Sequence, residues 1–221
     1  MPPPGHFACA PSPYPVTYMS TMKLYSRPDH PIDHMVRIVL EEKNVEVEIV
    51  LVENEIPEAV AERNPYDGIL TLVDRDLALY EPQIMAEYLD ERFPYPPLMP
   101  VDPVARAHNR QLRYRVMRDL YQLTVRLNEE NEIAAADARK VLREHLAALA
   151  GVFSRKPYFM SDEYTLADCC MAPLLWRLPH YGIKLPLLAR RSIKKYSESL
   201  FGREAFANSL TEAEQELREP A

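Results

Sequence analysis

GILTLVDRDLALYEPQIMAEYLDERFP, Gly68 to Pro94, changes its periodicity halfway. In the first half, Ile69–Val73 and Leu77–Tyr80 flank the polar triplet Asp74-Arg75-Asp76, the pattern of a β-hairpin. From Pro82 onward, Ile84, Met85, Tyr88 and Leu89 recur at three- and four-residue steps, with Glu87, Asp90 and Glu91 outside them. That is one apolar helix face, and proline fits the first turn of such a helix. A hairpin running into a helix is the closing part of a small α/β unit.

The residues upstream supply the rest. Lys23-Leu24-Tyr25-Ser26 reads as a short strand ended by Pro28. Ile32, Met35, Val36, Val39 and Leu40 share a helix face. Val45, Val47, Ile49 and Leu51 alternate with Glu46 and Glu48, a strand with one wet face, and Ile56–Arg63 predicts a short helix closed by Asn64-Pro65. The order βαβαββα is thioredoxin-like: a parallel βαβ unit, an antiparallel hairpin and a last helix.

Downstream, PYPPLMPVDP at 94–103 carries five prolines, a density that no helix interior or central strand tolerates. It predicts a stiff linker. Helices are then expected over Val104–Leu127, Ala134–Phe153, Thr165–Leu178 and Arg190–Phe201, the third opened by the Thr165–Asp168 capping box. The chain thus divides into an α/β thioredoxin-like domain at 22–98, an all-α domain at 99–210 and a tail at 211–221. Residues 1–21 hold six prolines and no charged side chain, and are expected to be a disordered or artefactual extension.

Of 221 residues, 47% are hydrophobic and 27% charged, a balance suited to a globular protein with a sizeable core. The net charge of −7 argues against direct nucleic-acid binding in isolation, and the absence of a glycine-rich phosphate loop argues against a nucleotide site. No apolar run reaches membrane-spanning length. Cys9, Cys169 and Cys170 form neither a disulfide framework nor a zinc pattern, and the adjacent pair reads as small buried hydrophobes in a reducing cytoplasm. His30 and His34 lie four apart, a metal-compatible spacing, but with no third ligand in reach they are expected to face solvent. No metal or cofactor is expected. Between Val104 and Arg126 six arginines meet one acid, and Arg106, Arg110 and Arg113 share a face that could dock an acidic partner.

A thioredoxin-like half, a proline-rich linker and a helical half opened by a Thr-x-x-Asp cap together resemble the glutathione transferase superfamily. Within it, VRIVLEEKNV, TLVDRDLALYE, EYLDERFPYPPLMPVDPVARA, PYFMSDEYTLADCCMAPLLWRLP and SLTEAEQELR are similar to the stringent starvation protein A family. That resemblance implies a homodimeric, non-enzymatic transcription regulator that binds RNA polymerase with its primary sigma factor. It also implies a polymerase-contacting patch at Pro94, Tyr95, Pro96 and Pro97, where Tyr95 replaces the family's histidine. The alternative implied is a glutathione transferase of low activity. Against it stand the residues matching the superfamily's glutathione site. Leu70 takes the place of a cis-proline, and a cis bond before leucine would cost about 2.5–4 kcal/mol, so Ile69–Leu70 is expected to be trans. Glu81-Pro82 keeps the site's acid but loses the serine hydroxyl and N–H that would hold a carboxylate. Ser26 is the hydroxyl left at the catalytic position, with Tyr25 before it and His30 nearby.

Overall fold

The computed structural model describes residues 22–66, 68–128 and 131–218; the segment 1–21, with Cys9, lies outside them. The first half is a four-stranded sheet of order β2-β1-β3-β4. Its strands are β1 (Met22–Ser26), β2 (Val47–Leu51), β3 (Thr71–Asp74) and β4 (Leu77–Leu79). β1 runs parallel to β2 and antiparallel to β3, which pairs antiparallel with β4. The register sets Ile49, Leu24, Leu72 and Leu79 in one row across the sheet, with Leu24 and Leu72 at its buried centre. Arg75 turns the hairpin at φ 58°. β2 is an edge strand, so its apolar alternation does not end in a buried face: Ile49 and Leu51 are partly exposed.

Three helices complete this half: α1 (Pro31–Glu42), the single turn α2 (Glu58–Ala61) and α3 (Pro82–Arg92). α1 is buried on nearly every side because α3 and the helices of the second half pack against it. Its polar residues His34, Arg37 and Glu42 are therefore interdomain residues, meeting Ser209, Glu214 and Arg203.

The second half is all helical. α4 (Pro103–Arg115) starts on Asp102, whose carboxylate accepts from Ala105 N at 2.8 Å. The helix expected over 104–127 runs unbroken, α4 passing through a π-helical segment at Val116–Tyr121 into α5 (Gln122–Leu127). The helices α6 (Glu132–Phe153), α7 (Leu166–Trp176) and α8 (Leu187–Phe201) follow. α7 is the buried axis of this half, and its apolar residues point all round. Asp168 closes its cap by accepting from Thr165 N at 2.8 Å, and also takes Phe159 N at 2.8 Å and the Tyr196 hydroxyl at 2.7 Å. Such a cap is worth about 1 kcal/mol. Cys169 and Cys170 are buried here, and burial pushes the Cys170 thiol up to about 11, which suits inert packing groups.

The last helices of the described residues are α9 (Glu204–Ser209) and α10 (Glu212–Glu216). The stretch from 211, expected as a tail, is folded in: a Thr211–Glu214 capping box opens α10, and Glu214 is completely buried. Two short helices lack the long periodic stripe that reveals a helix in sequence.

Candidate functional site

The two halves enclose a cleft of about 1010 Å³, with Arg27, His30, Leu70, Glu81 and Pro82 on the sheet side and Tyr114 and Arg118 facing them from the helical side. Three of the four residues matched to a glutathione site line it, and their geometry is unsuited to a γ-glutamyl carboxylate. The Ile69–Leu70 bond is trans; among the described residues the cis bond is Tyr95–Pro96. Pro82 opens α3 without an N–H, and Glu81 caps that helix itself by accepting from Gln83 N at 3.3 Å. An incoming carboxylate would meet a resident one at the helix end that should attract it.

Ser26 is not brought to the cleft. Its side chain is fully buried, donates to Arg27 O at 3.1 Å and accepts from the Arg37 guanidinium. His30, at the N-cap of α1, does line the cleft, and its Nδ1 meets Asp33 Oδ1 at 2.8 Å while Asp33 Oδ2 takes Arg27 N at 2.6 Å. His34, expected at the surface, is completely buried; the reason is that α1 is sandwiched between the two halves. No group of three potential metal ligands occurs among the described residues.

The arginine face of α4 is also different from its expectation. Arg110 grips Glu87 through Nε (3.0 Å to Oε1) and Nη2 (2.7 Å to Oε2). Arg113 is buried, shares the same Glu87, and donates to Gln83 Oε1 at 2.6 Å and, through Nε, to Asn109 Oδ1 at 3.1 Å. Arg106 lies 3.6 Å from Glu91. Burial pushes the Glu87 carboxyl up, but the two arginines outweigh it and hold it below the ordinary range. These cations tie α4 to α3, so they are already answered within the chain. Their acids sit on the preceding helix, 15 to 26 positions away, where no helical spacing could pair them.

The proline patch, by contrast, is open. Pro94, Tyr95, Pro96 and Pro97 are exposed, Tyr95 to 82%, while the next two residues, Leu98 and Met99, are buried. Beneath the loop lies a buried ion pair, Lys43–Asp90, that residue spacing in the sequence could not announce. The Lys43 ammonium donates to Asp90 Oδ1 and to Pro96 O, and Asp90 Oδ1 accepts from Leu98 N at 2.7 Å.

A second buried network crosses the interface. Arg37 donates to Glu214 Oε1 at 2.6 Å and to Ser209 O at 3.2 Å. Arg177 donates to the same Glu214 oxygen and, at 2.9 Å, to Asp29 O. His34 completes it, with Nε2 at 2.9 Å from Ser209 Oγ and Nδ1 at 3.2 Å from Arg177. Because arginine only donates, Nδ1 is the acceptor and Nε2 carries the proton. Burial, with Arg177 and Arg37 alongside, holds this imidazole well below the usual histidine range.

Family models described as glutathione S-transferase N-terminal domain and C-terminal domain match residues 20–91 and 104–204. Among solved structures, a glutathione S-transferase from Rhodospirillum rubrum superposes with TM-score 0.77 at 24% identity over 87% of this chain and 93% of its own. One from Methylobacillus flagellatus, with glutathione bound, gives TM-score 0.76 at 23% identity over 86% of this chain and 100% of its own. Sequence relatives are nearer. The stringent starvation protein A homolog of Coxiella burnetii is 50% identical, covering 90% of this chain and 96% of its own. That of Haemophilus influenzae is 44% identical over 88% and 92%. A two-half transferase fold with identity of this extent has one reading: the chain belongs to the stringent starvation protein A family of the glutathione transferase superfamily.

Proposed function

We propose that this protein is a non-enzymatic transcription regulator that binds RNA polymerase with its primary sigma factor during starvation or stress, acting as a homodimer in the cytoplasm. The observation that carries the reading is the self-capped start of α3, where Glu81 and Pro82 leave that helix end no donor for a carboxylate. Binding energy is then sought on the surface, and the exposed Pro94–Pro97 loop is the docking element. Prolines lose little freedom on binding because φ is already fixed, and Tyr95 adds an amphipathic ring of the kind enriched at interface hot spots.

Co-elution with core polymerase and sigma factor tests the reading. A defined complex in size-exclusion chromatography supports it, and separate elution at micromolar concentrations overturns it. The expected isologous interface should bury more than about 1,000 Å², so light scattering should give twice the chain mass.

The size of the cleft, with His30 held by Asp33 on its wall, favours a second reading, a glutathione transferase of low activity. Saturable heat on titration with glutathione, together with conjugation above background, would select it.

A further inference from the structure

The densest run of positive charge lies away from both the cleft and the proline loop. Lys184, Arg190, Arg191, Lys194 and Lys195 fall within the twelve residues 184–195, which contain no acid, in a chain of net charge −7. Elsewhere the arginines of the interior and the interface are matched to carboxylates: Arg37 and Arg177 to Glu214, Arg110 and Arg113 to Glu87, Arg203 to Glu42. Here Lys194 reaches Glu198 at 3.5 Å on the exposed helix surface, and among the described residues the other four make no ion pair.

The start of α8 compounds the excess. It has neither a side-chain cap nor an acid in its first turn, so its free N–H groups and positive dipole end add to the side-chain charge. A sequence selected for stability alone would place Asp or Glu there. This one places Leu187 and Leu188, 87% and 93% exposed, followed by two arginines. Local rules broken without a compensating contact in the fold point to a use outside it.

The same segment borders a groove of about 660 Å³ with an apolar floor that includes Leu178, Ile183, Leu185 and Phe201. Lys184, Arg190 and Lys194 stand on its rim, and Arg218 forms a further wall, its guanidinium 4.2 Å from the Trp176 ring centroid and 4.7 Å from that of Phe201. Glu198 also lines the groove, answered by Lys194, so the net charge of the rim comes from Lys184, Arg190 and Arg218. An apolar floor with this rim is complementary to an acidic segment that also carries large apolar side chains. Glutamates would meet the rim and the helix end, and leucine or phenylalanine would fill the floor.

From this coincidence of groove, unmatched cations and uncapped helix start we infer that the α8 groove is a docking site for an acidic amphipathic segment of a partner protein. An anionic membrane fits less well. A recess takes a single side chain better than a flat sheet of headgroups. The site is separate from the proline loop and does not depend on the reading given to it.

Fluorescence anisotropy tests the inference, using a labelled amphipathic helical peptide with glutamates on one face and leucine and phenylalanine on the other. Saturable binding that weakens with salt is expected. Charge reversal in Lys184→Glu/Arg190→Glu/Arg191→Glu should weaken it at least about tenfold, equal to about 1.4 kcal/mol. Leu185→Glu, which places an anion in the floor, should do the same, whereas Pro94→Ala/Tyr95→Ala/Pro96→Ala should bind the peptide as the parent does. Circular dichroism establishes that the variants fold. Failure of the peptide to saturate, equal binding by folded charge-reversed protein, or equal binding of a peptide with lysines in place of the glutamates each overturns the inference. So does preferential binding to vesicles containing phosphatidylglycerol.

Discussion

Lys43 and Asp90 form a buried ion pair at 2.5 Å directly under an exposed loop, and the same ammonium also holds the carbonyl of Pro96. The surface offered by Pro94–Pro97 is thus fixed from below by charge as well as by proline. Removing one partner strands the other in the interior. Asp90→Asn should therefore lower unfolding free energy by about 3–5 kcal/mol in urea titrations. Lys43→Met/Asp90→Leu should recover much of that loss, because apolar replacements for a buried pair are often near neutral. With the loop no longer tethered, the double variant should still bind polymerase several-fold more weakly than the parent. Parental affinity in the folded double variant would show that the tether has no part in docking.

Pro94→Ala/Tyr95→Ala/Pro96→Ala addresses the loop itself. All three side chains are exposed, so folding and dimerisation should persist. Polymerase affinity should fall by about tenfold or more, equal to about 1.4 kcal/mol, measured by co-elution or interferometry. Unfolding of the variant, or unchanged affinity, would mean the loop only joins the two halves.

Calorimetry with millimolar glutathione should give no saturable heat, and chloronitrobenzene conjugation should remain at background. Leu70→Pro with Pro82→Ser should restore measurable glutathione binding, since it returns an N–H and a hydroxyl to the start of α3. Micromolar affinity in the unmodified protein would contradict the proposed loss of the site.

Acid should destabilise the fold through His34. Its imidazole is held well below the ordinary histidine value of 6.5 by burial and by Arg177 and Arg37, with Glu214 and Ser209 completing its surroundings. The unfolded chain takes up this proton first, so the neutral form's contribution is fully present above about pH 6.5. It is lost as pH falls below that value, at up to about 1.4 kcal/mol per unit. His34→Gln offers an amide oxygen to Arg177 and an amide N–H to Ser209, and should flatten this part of the stability profile. A parental slope in that variant would assign the acid sensitivity elsewhere.

The fold was legible because hairpin, linker and helices each carry local signals: the Asp74-Arg75-Asp76 turn, five prolines in ten residues, the Thr165 cap. The site was legible only where a residue's own chemistry settles the matter. Pro82 cannot donate an N–H wherever it is placed, and leucine at 70 is costly in cis. What sequence could not convey was pairing between distant charges. Arg106, Arg110 and Arg113 do share a region of one helix, yet the acids that occupy them belong to another. His34 has the spacing of a surface ligand and becomes interior because a second layer of helices covers α1. In the same way, 211–218 has too few residues for a visible periodic stripe, although Glu214 is among the most enclosed residues of the chain.

Glu214 lies 177 positions after Arg37 and 37 after Arg177, the two guanidiniums it neutralises. During synthesis the sheet domain emerges first, and Arg37 on α1 stays uncovered until the second half packs over it and brings its counter-charge. A product stopped by a nonsense codon between residues 178 and 213 would keep both arginines and lack the carboxylate oxygen they share. Such products should be cut faster by proteases than the full chain. Glu214 thus makes closure of the two halves depend on α10, through burial of one carboxylate.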